Sequence, residues 1–267
     1  MKKKFKLGFI GAGFMASSII NGVIKAKVVD PREIIVSDIN AHMLDRIATS
    51  GVSVTQDSVE VCNFADFVVI AVKPQSFSEV AKTIKGCKCK KYISIMAGVK
   101  KQKINDYLGD VKVARCMPNT PCSIGFGAVG LDLSDYESED CCFIKSLFDS
   151  FASTVVVEED LLNAVTGVSG SGPAYFYKFA KAVIDAGVKN GLKYDDAKLL
   201  AINTMIGAGQ MILNNPEKDI DDLINSVCSK GGTTIEAVNV FNNENLSKIV
   251  DKAIDACIKR ATELENL

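Results

Sequence analysis

A glycine-rich segment near the start of the chain has the spacing of a phosphate-binding loop. Gly11, Gly13 and Ala16 match the pattern G-x-G-x-x-[GA] directly after the apolar run at residues 6–10. In a strand–loop–helix unit the first glycine permits a tight turn, the second lets the backbone approach a pyrophosphate, and the third, small residue allows close helix packing. Amides at the start of the helix then bind the phosphates. The segment predicts a dinucleotide site, with a glycine turn that binds no ligand as the simpler alternative.

Two polar residues lie at the carboxyl ends of predicted strands, at the edge where such a ligand binds. Asp38 ends the second strand, about 20 residues past Ala16, the last position of the pattern, where an acid usually holds a ribose 2′-hydroxyl. Its carboxylate would repel a 2′-phosphate and therefore favours NADH over NADPH. Lys73 follows the fourth strand and would lie near phosphate or nicotinamide. The alternatives are a strand-end aspartate that starts a turn and a solvated lysine before a proline turn.

A second candidate site is the segment at residues 231–236, with the sequence GGTTIE. Its T-x-x-E pattern is that of a capping box, which predicts Thr233 as the helix N-cap and Glu236 as its partner. Gly231 and Gly232 carry no side chains, so the helix amides can form a small anion site suited to a carboxylate. The hydroxyl of Thr234 is then free to face a substrate. The alternative is that the segment merely starts a helix.

The elements that must position these residues change in character along the chain. Near-continuous apolar runs alternate with helical stretches up to about residue 160, which indicates a mostly parallel sheet covered on both faces. The predicted strands lie at residues 6–10, 33–37, 52–54, 67–72, 92–97, 111–116, 128–131 and 154–157. Later segments read only as helices, at residues 173–189, 195–213, 220–228 and 245–264, with a short one from Thr233. We therefore predict a doubly wound α/β Rossmann domain at residues 1–160 and an all-helical domain at 161–267.

Composition excludes several other classes of protein. The 267 residues carry a net charge of −1 with both signs interspersed, so no basic surface for nucleic acid is expected. With a single histidine, His42, and no CxxC pair, we expect neither a metal site nor a histidine general acid. No uncharged run is long enough to span a membrane. Nine cysteines, an odd number, favour reduced thiols and a cytoplasmic protein.

Six separated motifs, taken together, resemble the pyrroline-5-carboxylate reductase family over essentially the whole chain. They are IGAGFMA at 10–16, AVKP at 71–74, AGV at 97–99, MPNTP at 117–121, GVSGSGPAY at 167–175 and GGTTIEAV at 231–238. The resemblance implies hydride transfer from NADPH or NADH to the imine carbon of 1-pyrroline-5-carboxylate, which gives L-proline in the last step of proline biosynthesis. It also implies that the helical domain forms an interlocked homodimer, and that such dimers assemble into larger rings.

The resemblance also implies the residues of the site. Thr234 is the catalytic residue at the imine nitrogen, and the substrate-binding residues are Gly231, Gly232, Thr233, Thr234, Ser171 and Glu159. The expected cofactor-binding residues are Ile10, Gly11, Ala12, Gly13, Phe14, Met15, Asp38, Asn40, Ser58, Ala71, Val72, Lys73, Pro74, Ala97, Gly98 and Asn119. Two departures stand out: Lys230 replaces the proline that usually precedes the GGTT sequence, and Asp38 contrasts with the NADPH preference of many members.

Two other functions stay open at this point. A related imine or β-hydroxyacid reductase would share the same two domains, and a hydroxyacid enzyme would use a lysine such as Lys178 or Lys181 of the helical domain. A non-catalytic dinucleotide sensor would bind the cofactor without turnover. Oxidation of reduced cofactor by added pyrroline-5-carboxylate separates both from the family's reaction.

Overall fold

The first part of the chain folds into one eight-stranded sheet with helices on both faces. The computed structural model describes residues 4–265. The strands are β1 (Phe5–Ile10), β2 (Ile34–Ser37), β3 (Ser53–Thr55), β4 (Ala65–Ile70), β5 (Lys91–Ser94), β6 (Lys112–Pro118), β7 (Gly127–Asp132) and β8 (Ala152–Val156). The helices are α1 (Phe14–Lys25), α2 (Ala41–Ala48), α3 (Ser58–Phe64), α4 (Phe77–Ile84), α5 (Lys101–Leu108) and α6 (Ser138–Asp149).

The strand order is β3-β2-β1-β4-β5-β6-β7-β8, and every neighbouring pair is parallel except β6 with β7. Successive side chains of a strand point to opposite faces, so a sheet covered on both sides needs apolar residues at each position. In β1, Phe9 packs into the core on one face and Ile10 into the core on the other. The order reverses between β1 and β4, whose carboxyl ends therefore border the crevice where ligands bind in such sheets.

The predicted Rossmann fold is confirmed, and its helices include two that the sequence pattern did not predict. In α6, Ile144, Leu147 and Phe148 are buried at the spacing of one helical face. The other helix, α3, is only seven residues long, and Asp57 caps it by accepting a hydrogen bond from the amide of Val59 at 2.8 Å. Short helices of this kind give too few turns for a periodic signal.

The remaining elements are helical, as predicted. After a 3-10 turn at Glu159–Leu161, the helices are α7 (Leu162–Val165), α8 (Gly172–Lys189), α9 (Tyr194–Leu213), α10 (Ile220–Val227), α11 (Thr233–Asn243) and α12 (Leu246–Glu265). A π-helical turn at Thr166–Gly170 separates α7 from α8. The Asn190–Gly191 stop after α8 is present, with Gly191 at a φ of +99°.

By its internal contacts the chain divides into two compact units. The sheet unit contains residues up to Pro173 together with those from Cys257 onward, and the helical unit is Ala174–Ala256. Because α12 starts at Leu246, its last turns belong to the sheet unit. These units are defined by contacts within one chain. The domains predicted from the sequence, at residues 1–160 and 161–267, are a separate division, which stays a prediction.

The helical unit exposes many large apolar side chains. Ala180, Ile184 and Ala197 are buried among its described residues. By contrast, more than half of the surface is exposed at Phe176, Leu199, Leu200, Ile206, Met211 and Leu213. Exposed apolar surface on this scale marks an interaction face. Within residues 4–265, no helix combines the length and apolar character needed to cross a lipid bilayer.

Candidate active site

Gly11 is required by the fold of the loop itself. Its φ is +101°, and a Cβ at this position would lie 2.6 Å from the carbonyl oxygen of Ala71. The amide of Gly11 donates to the carbonyl of Ser37 at 2.7 Å, which draws the loop across the end of β2. A side chain here would meet both backbone strain and a neighbouring carbonyl, so the tight turn predicted from the sequence has a structural cause.

Gly13 is a glycine for a different reason. Its backbone is extended, with φ −64° and ψ −178°, which any residue can adopt, and a Cβ there would meet no atom within 4 Å. The residue is the N-cap of α1, and no side chain caps the helix. The next residue, Phe14, is exposed. A helix start that faces open space without a cap fits the pyrophosphate of a dinucleotide, because its amides supply donors and the absent side chain leaves room.

Asp38 lies beside this loop and holds it. One carboxylate oxygen accepts a hydrogen bond from the amide of Ala12 at 2.7 Å, and the other accepts from the amide of Asn40 at 2.8 Å. Asn40 in turn caps α2 through the amide of His42 at 3.0 Å. The negative charge is therefore at the predicted strand end, and it also shapes the phosphate loop, a role that spacing alone did not reveal. The Ser58 hydroxyl lies 3.1 Å from that of Ser37 at the same edge.

The ends of β4 and β5 form the neighbouring part of this edge. The amide of Ala71 donates to the carbonyl of Ile10 at 2.9 Å, and Lys73 is exposed before the 3-10 turn that starts at Pro74. A groove of about 350 Å³ is lined by Pro74, Gln75, Phe77, Ser78, Ala97, Gly98, Val99, Lys103, Tyr107 and Leu264. Residues 71–74 and 97–98, predicted separately from the sequence, thus follow the carboxyl ends of two adjacent parallel strands, β4 and β5.

The side chain of Asn119 forms hydrogen bonds within the protein. It is buried at the end of β6, where its amide nitrogen donates to the carbonyl of Ser169 at 3.1 Å and its oxygen accepts from the amide of Ala128 at 3.0 Å. These bonds join β6 to the π-helical turn and to β7. Its predicted contact with the cofactor stays a prediction, and the structure adds a reason for an asparagine that is independent of any ligand.

Glu159 takes part in a buried ion pair. Its Oε1 atom lies 3.0 Å from a guanidinium nitrogen of Arg115, which is 4% exposed, and accepts the amide of Lys101 at 2.8 Å. The carboxylate therefore neutralises a buried cation and caps the start of α5. Nothing in this geometry leaves Glu159 free for a substrate, so its assignment to the substrate site stays a prediction that the contacts do not favour. Arg115 itself was not singled out from the sequence, because its partner is far along the chain.

A second ion pair lies close to the first. The Lys101 ammonium is 2.8 Å from Asp132, which is almost fully buried, and 2.9 Å from Asp135. Burial opposes ionisation of Asp132, but hydrogen bonds from Lys101 and Ser134 outweigh it, and the pKa of this carboxyl is lowered. Together the two pairs fix the start of α5 against β6 and β7.

The predicted capping box at the start of α11 is wrong. The N-cap is Gly232, no side chain caps the helix, and Thr233 is already its first residue. A local turn sets this start: the amide of Gly232 donates to the carbonyl of Ser229 at 2.9 Å, and Gly231 has a φ of +71°. Glu236 therefore falls one position too far into the helix to reach back to the cap.

Both threonines of this segment are nevertheless available to a ligand. Within the part of the chain that the structure describes, neither the Thr233 nor the Thr234 hydroxyl has a hydrogen-bond partner, and both residues are exposed. A Cβ at Gly232 would lie 2.4 Å from the hydroxyl oxygen of Ser229 and 3.0 Å from its carbonyl oxygen, so a larger residue here would require the Ser229 side chain to move. The predicted free hydroxyl at Thr234 is thus accompanied by a second one at Thr233.

Ser171 lies just before α8, where its hydroxyl oxygen is 3.2 Å from the Cys257 sulfur. Its amide donates to the carbonyl of Thr166 at 2.8 Å, which closes the π-helical turn. The role of Ser171 at the substrate stays a prediction. Among the described residues, no group of His, Cys, Asp and Glu side chains is arranged to hold a metal ion.

The doubly wound sheet and the uncapped glycine loop define a dinucleotide-binding Rossmann protein with an appended helical region. The family model described as pyrroline-5-carboxylate reductase dimerisation matches residues 159–264, and the model described as NADP oxidoreductase, coenzyme F420-dependent, matches residues 6–98. Curated pyrroline-5-carboxylate reductases from Vibrio alginolyticus and Arabidopsis thaliana are 34% and 35% identical to the chain. Each alignment covers 98% of the chain, with 98% and 96% of the relatives. The chain belongs to the pyrroline-5-carboxylate reductase family.

Solved structures agree with this assignment. A pyrroline-5-carboxylate reductase from Coxiella burnetii superposes with a TM-score of 0.91 at 34% identity, covering 98% of this chain and 99% of that one. The Plasmodium falciparum pyrroline carboxylate reductase, crystallised with NADP bound, gives a TM-score of 0.87 at 27% identity, with the same coverage. The family identified from six short motifs is therefore confirmed over the whole chain.

Proposed function

We propose that this protein reduces 1-pyrroline-5-carboxylate to L-proline with NADPH or NADH as the hydride donor. This proposal rests above all on the extent of the similarity. Relatives named pyrroline-5-carboxylate reductase align over 98% of the chain, so they match the helical unit as well as the Rossmann sheet. A dinucleotide-binding sheet alone would be common to many reductases, whereas the helical region is where a substrate site specific to this family would lie.

The residues of the sheet unit would bind the two halves of the cofactor. The amides at the start of α1 would hold the pyrophosphate over Gly13, and Asp38 would accept a hydrogen bond from the ribose of the adenosine half. Residues 71–74 and 97–98 would flank the nicotinamide half. When bound, the reduced nicotinamide supplies a hydride to the imine carbon.

The start of α11 would hold the substrate. The backbone amides of the first turn of α11, from Thr233 onward, are suited to the substrate carboxylate, because no side chain caps this helix and its dipole favours an anion there. The Thr234 hydroxyl would contact the ring nitrogen, which carries a proton in the iminium form. Hydride addition at the neighbouring carbon then leaves a neutral secondary amine, so no general acid is needed in this step. The residues of the chain act by holding two reactants in place and by electrostatic stabilisation.

A homodimer is the assembly that the helical unit favours, and we extend this proposal to a ring of dimers. The large apolar side chains exposed on α8 and α9 would be covered by a second copy, and the matching family model describes a dimerisation region. We also propose a cytoplasmic location, since all nine cysteines are unpaired. Sedimentation that shows an active monomer would contradict the dimer.

A cofactor-oxidation assay tests the activity directly. Loss of the reduced nicotinamide's absorbance should depend on protein and on pyrroline-5-carboxylate, and proline should form in equal amount. Both cofactors are compared at the same concentrations. Tight cofactor binding without turnover would indicate a sensor and would refute the proposal.

The hydroxyacid alternative gains little from the structure. Of its two candidate lysines on α8, Lys181 is paired with Asp185 at 2.5 Å one turn along the helix and is solvent-exposed. Exposed pairs of this kind are typical of a helix surface rather than of a catalytic base. Turnover of a β-hydroxyacid with oxidised cofactor, in the absence of imine reduction, would favour this alternative.

A further inference from the structure

The last turn of α12 packs directly on the loop that follows β5. Gly98 is buried with a φ of +67°, and a Cβ built on it would lie 3.2 Å from the Cβ of Leu264 and 3.5 Å from the amide nitrogen of Glu265. Because Gly98 has no side chain, the backbone of the loop lies directly against the end of the helix. All three residues belong to the sheet unit.

Two cations hold the end of the helix in this place. The Glu265 side chain is 6% exposed, and its carboxylate oxygens lie 3.7 Å from the Lys100 ammonium and 3.6 Å from the Arg115 guanidinium. Lys100 immediately precedes α5, two residues after Gly98, while Arg115 is on β6. A buried carboxylate between two cations is costly to displace, because movement would leave the charges unpaired. Through Lys100 and Arg115, Glu265 thus holds the end of α12 against the segment that follows Gly98.

Leu264 is also part of the groove at the carboxyl ends of β4 and β5. It lines this groove of about 350 Å³ together with Pro74 and Ala97, both of which we assign to the cofactor. Any change in the position of Leu264 is therefore transmitted to Gly98 and to the surface that the nicotinamide half would contact. The phosphate loop at Gly13, by contrast, lies at the start of α1.

We infer that Leu264 and Glu265 are positioning residues for the nicotinamide, acting through the Gly98 loop; this inference rests on the proposed function. Binding of the cofactor depends mainly on the phosphate loop and the ribose contact, whereas hydride transfer depends on the distance and angle between nicotinamide and imine. Small displacements of a reacting group lower the rate far more than the affinity. The helix end should therefore affect hydride transfer and leave cofactor binding almost unchanged.

Three variants of the full-length protein test this inference. Leu264→Ala keeps the Cβ that faces Gly98 but removes the rest of the side chain from the groove. Glu265→Gln removes the buried charge while Arg115 keeps its pair with Glu159 at 3.0 Å. Glu263→Gln is the matched control, because it makes the same charge change two residues earlier on an exposed side chain that pairs with Arg260. Cofactor dissociation constants are measured by fluorescence, and the single-turnover rate of pyrroline-5-carboxylate reduction is measured at saturating cofactor.

Both test variants should lose about fivefold or more in single-turnover rate, with cofactor Kd within about twofold of the wild-type value and the control unchanged. Leu264→Met, which keeps most of the side-chain volume, should recover the rate. A rate within about twofold of wild type in both folded variants overturns the inference, as does a raised Kd at an unchanged rate. If Leu264→Ala does not fold, Glu265→Gln decides. A wild-type protein without turnover would instead refute the proposed function.

Discussion

Replacing Gly11 and Gly13 by alanine makes the same chemical change two residues apart, and the structure predicts opposite consequences. At Gly11 the new methyl group would lie 2.6 Å from the Ala71 carbonyl oxygen, on a backbone with a φ of +101°. At Gly13 the methyl group would meet no protein atom within 4 Å, on a backbone that alanine adopts without strain. Gly11→Ala should therefore lower the stability of the protein, and Gly13→Ala should weaken cofactor binding.

The magnitudes follow from these two environments. A left-handed conformation costs an alanine about 1–2 kcal/mol, and the clash with the carbonyl raises the loss at Gly11 to at least about 2 kcal/mol. For a chain of this size such a loss lowers Tm by about 4–8 °C. At Gly13, alanine is a poorer N-cap than glycine, but it also reduces the entropy of the unfolded chain, so the two terms nearly cancel. A methyl group forced against the pyrophosphate costs about 1–3 kcal/mol of binding, which weakens Kd about 5- to 150-fold.

Thermal unfolding and fluorescence titration with reduced cofactor measure the two quantities on the same samples. Gly13→Val serves as a graded variant, since its larger side chain should weaken binding further at a similar Tm. Wild-type cofactor affinity in a folded Gly13→Ala protein would show that the pyrophosphate binds elsewhere. A Gly11→Ala protein with unchanged Tm would refute the argument from backbone strain.

Three further expectations concern the specificity, chemistry and stability of the protein. Asp38→Asn keeps an oxygen for the Ala12 amide but removes the charge that repels a 2′-phosphate, so kcat/KM for NADPH relative to NADH should rise about fivefold or more; an unchanged ratio removes Asp38 from cofactor selection. Thr234→Ala should lower kcat/KM about fivefold through loss of one hydrogen bond, while Thr233→Ala should leave Tm unchanged because Gly232 is the N-cap; a lower Tm in the latter would restore the capping box. Burial raises the pKa of the Cys62 thiol to about 12, whereas the same thiol ionises near 9.0 when exposed, so ionisation favours the unfolded chain and the free energy of unfolding should fall as pH rises above about 9. Urea unfolding at about pH 8 and pH 10 measures this fall, Cys62→Ala should reduce it, and equal stabilities at the two pH values would contradict it.

The sheet could be predicted because its strands are apolar on both faces, and the phosphate loop because its glycines are close in sequence and follow a strand. The start of α11 was predicted one residue late. The T-x-x-E pattern is local and degenerate, whereas the true start is set by the turn from Ser229 to Gly232, which leaves no mark in the spacing of threonine and glutamate. Hydrophobic periodicity thus predicts the order of the helices and strands. It does not predict the residues at which they begin and end, because local turns set these.

Pairings between distant segments could not be predicted at all. Glu159 is assigned to the substrate site only through the family resemblance, whereas in the structure its carboxylate bonds to Arg115 on β6 and to the start of α5. A charged residue in the middle of an apolar strand is the one signal that was present, since Arg115 needs a partner when buried. The identity of that partner depends on topology, which the sequence pattern does not give.

The contact between Arg115 and Glu265 also affects how the molecule folds. It closes a loop of more than half the chain, and native contacts between residues so far apart form late, because the intervening chain must first lose its conformational freedom. The strands from β1 to β6 pair over shorter separations, the longest being between β1 and β4. During refolding, far-ultraviolet circular dichroism should therefore recover before the Gly98 loop is fixed, and a period should follow in which the protein has its secondary structure but not yet its full rate of hydride transfer.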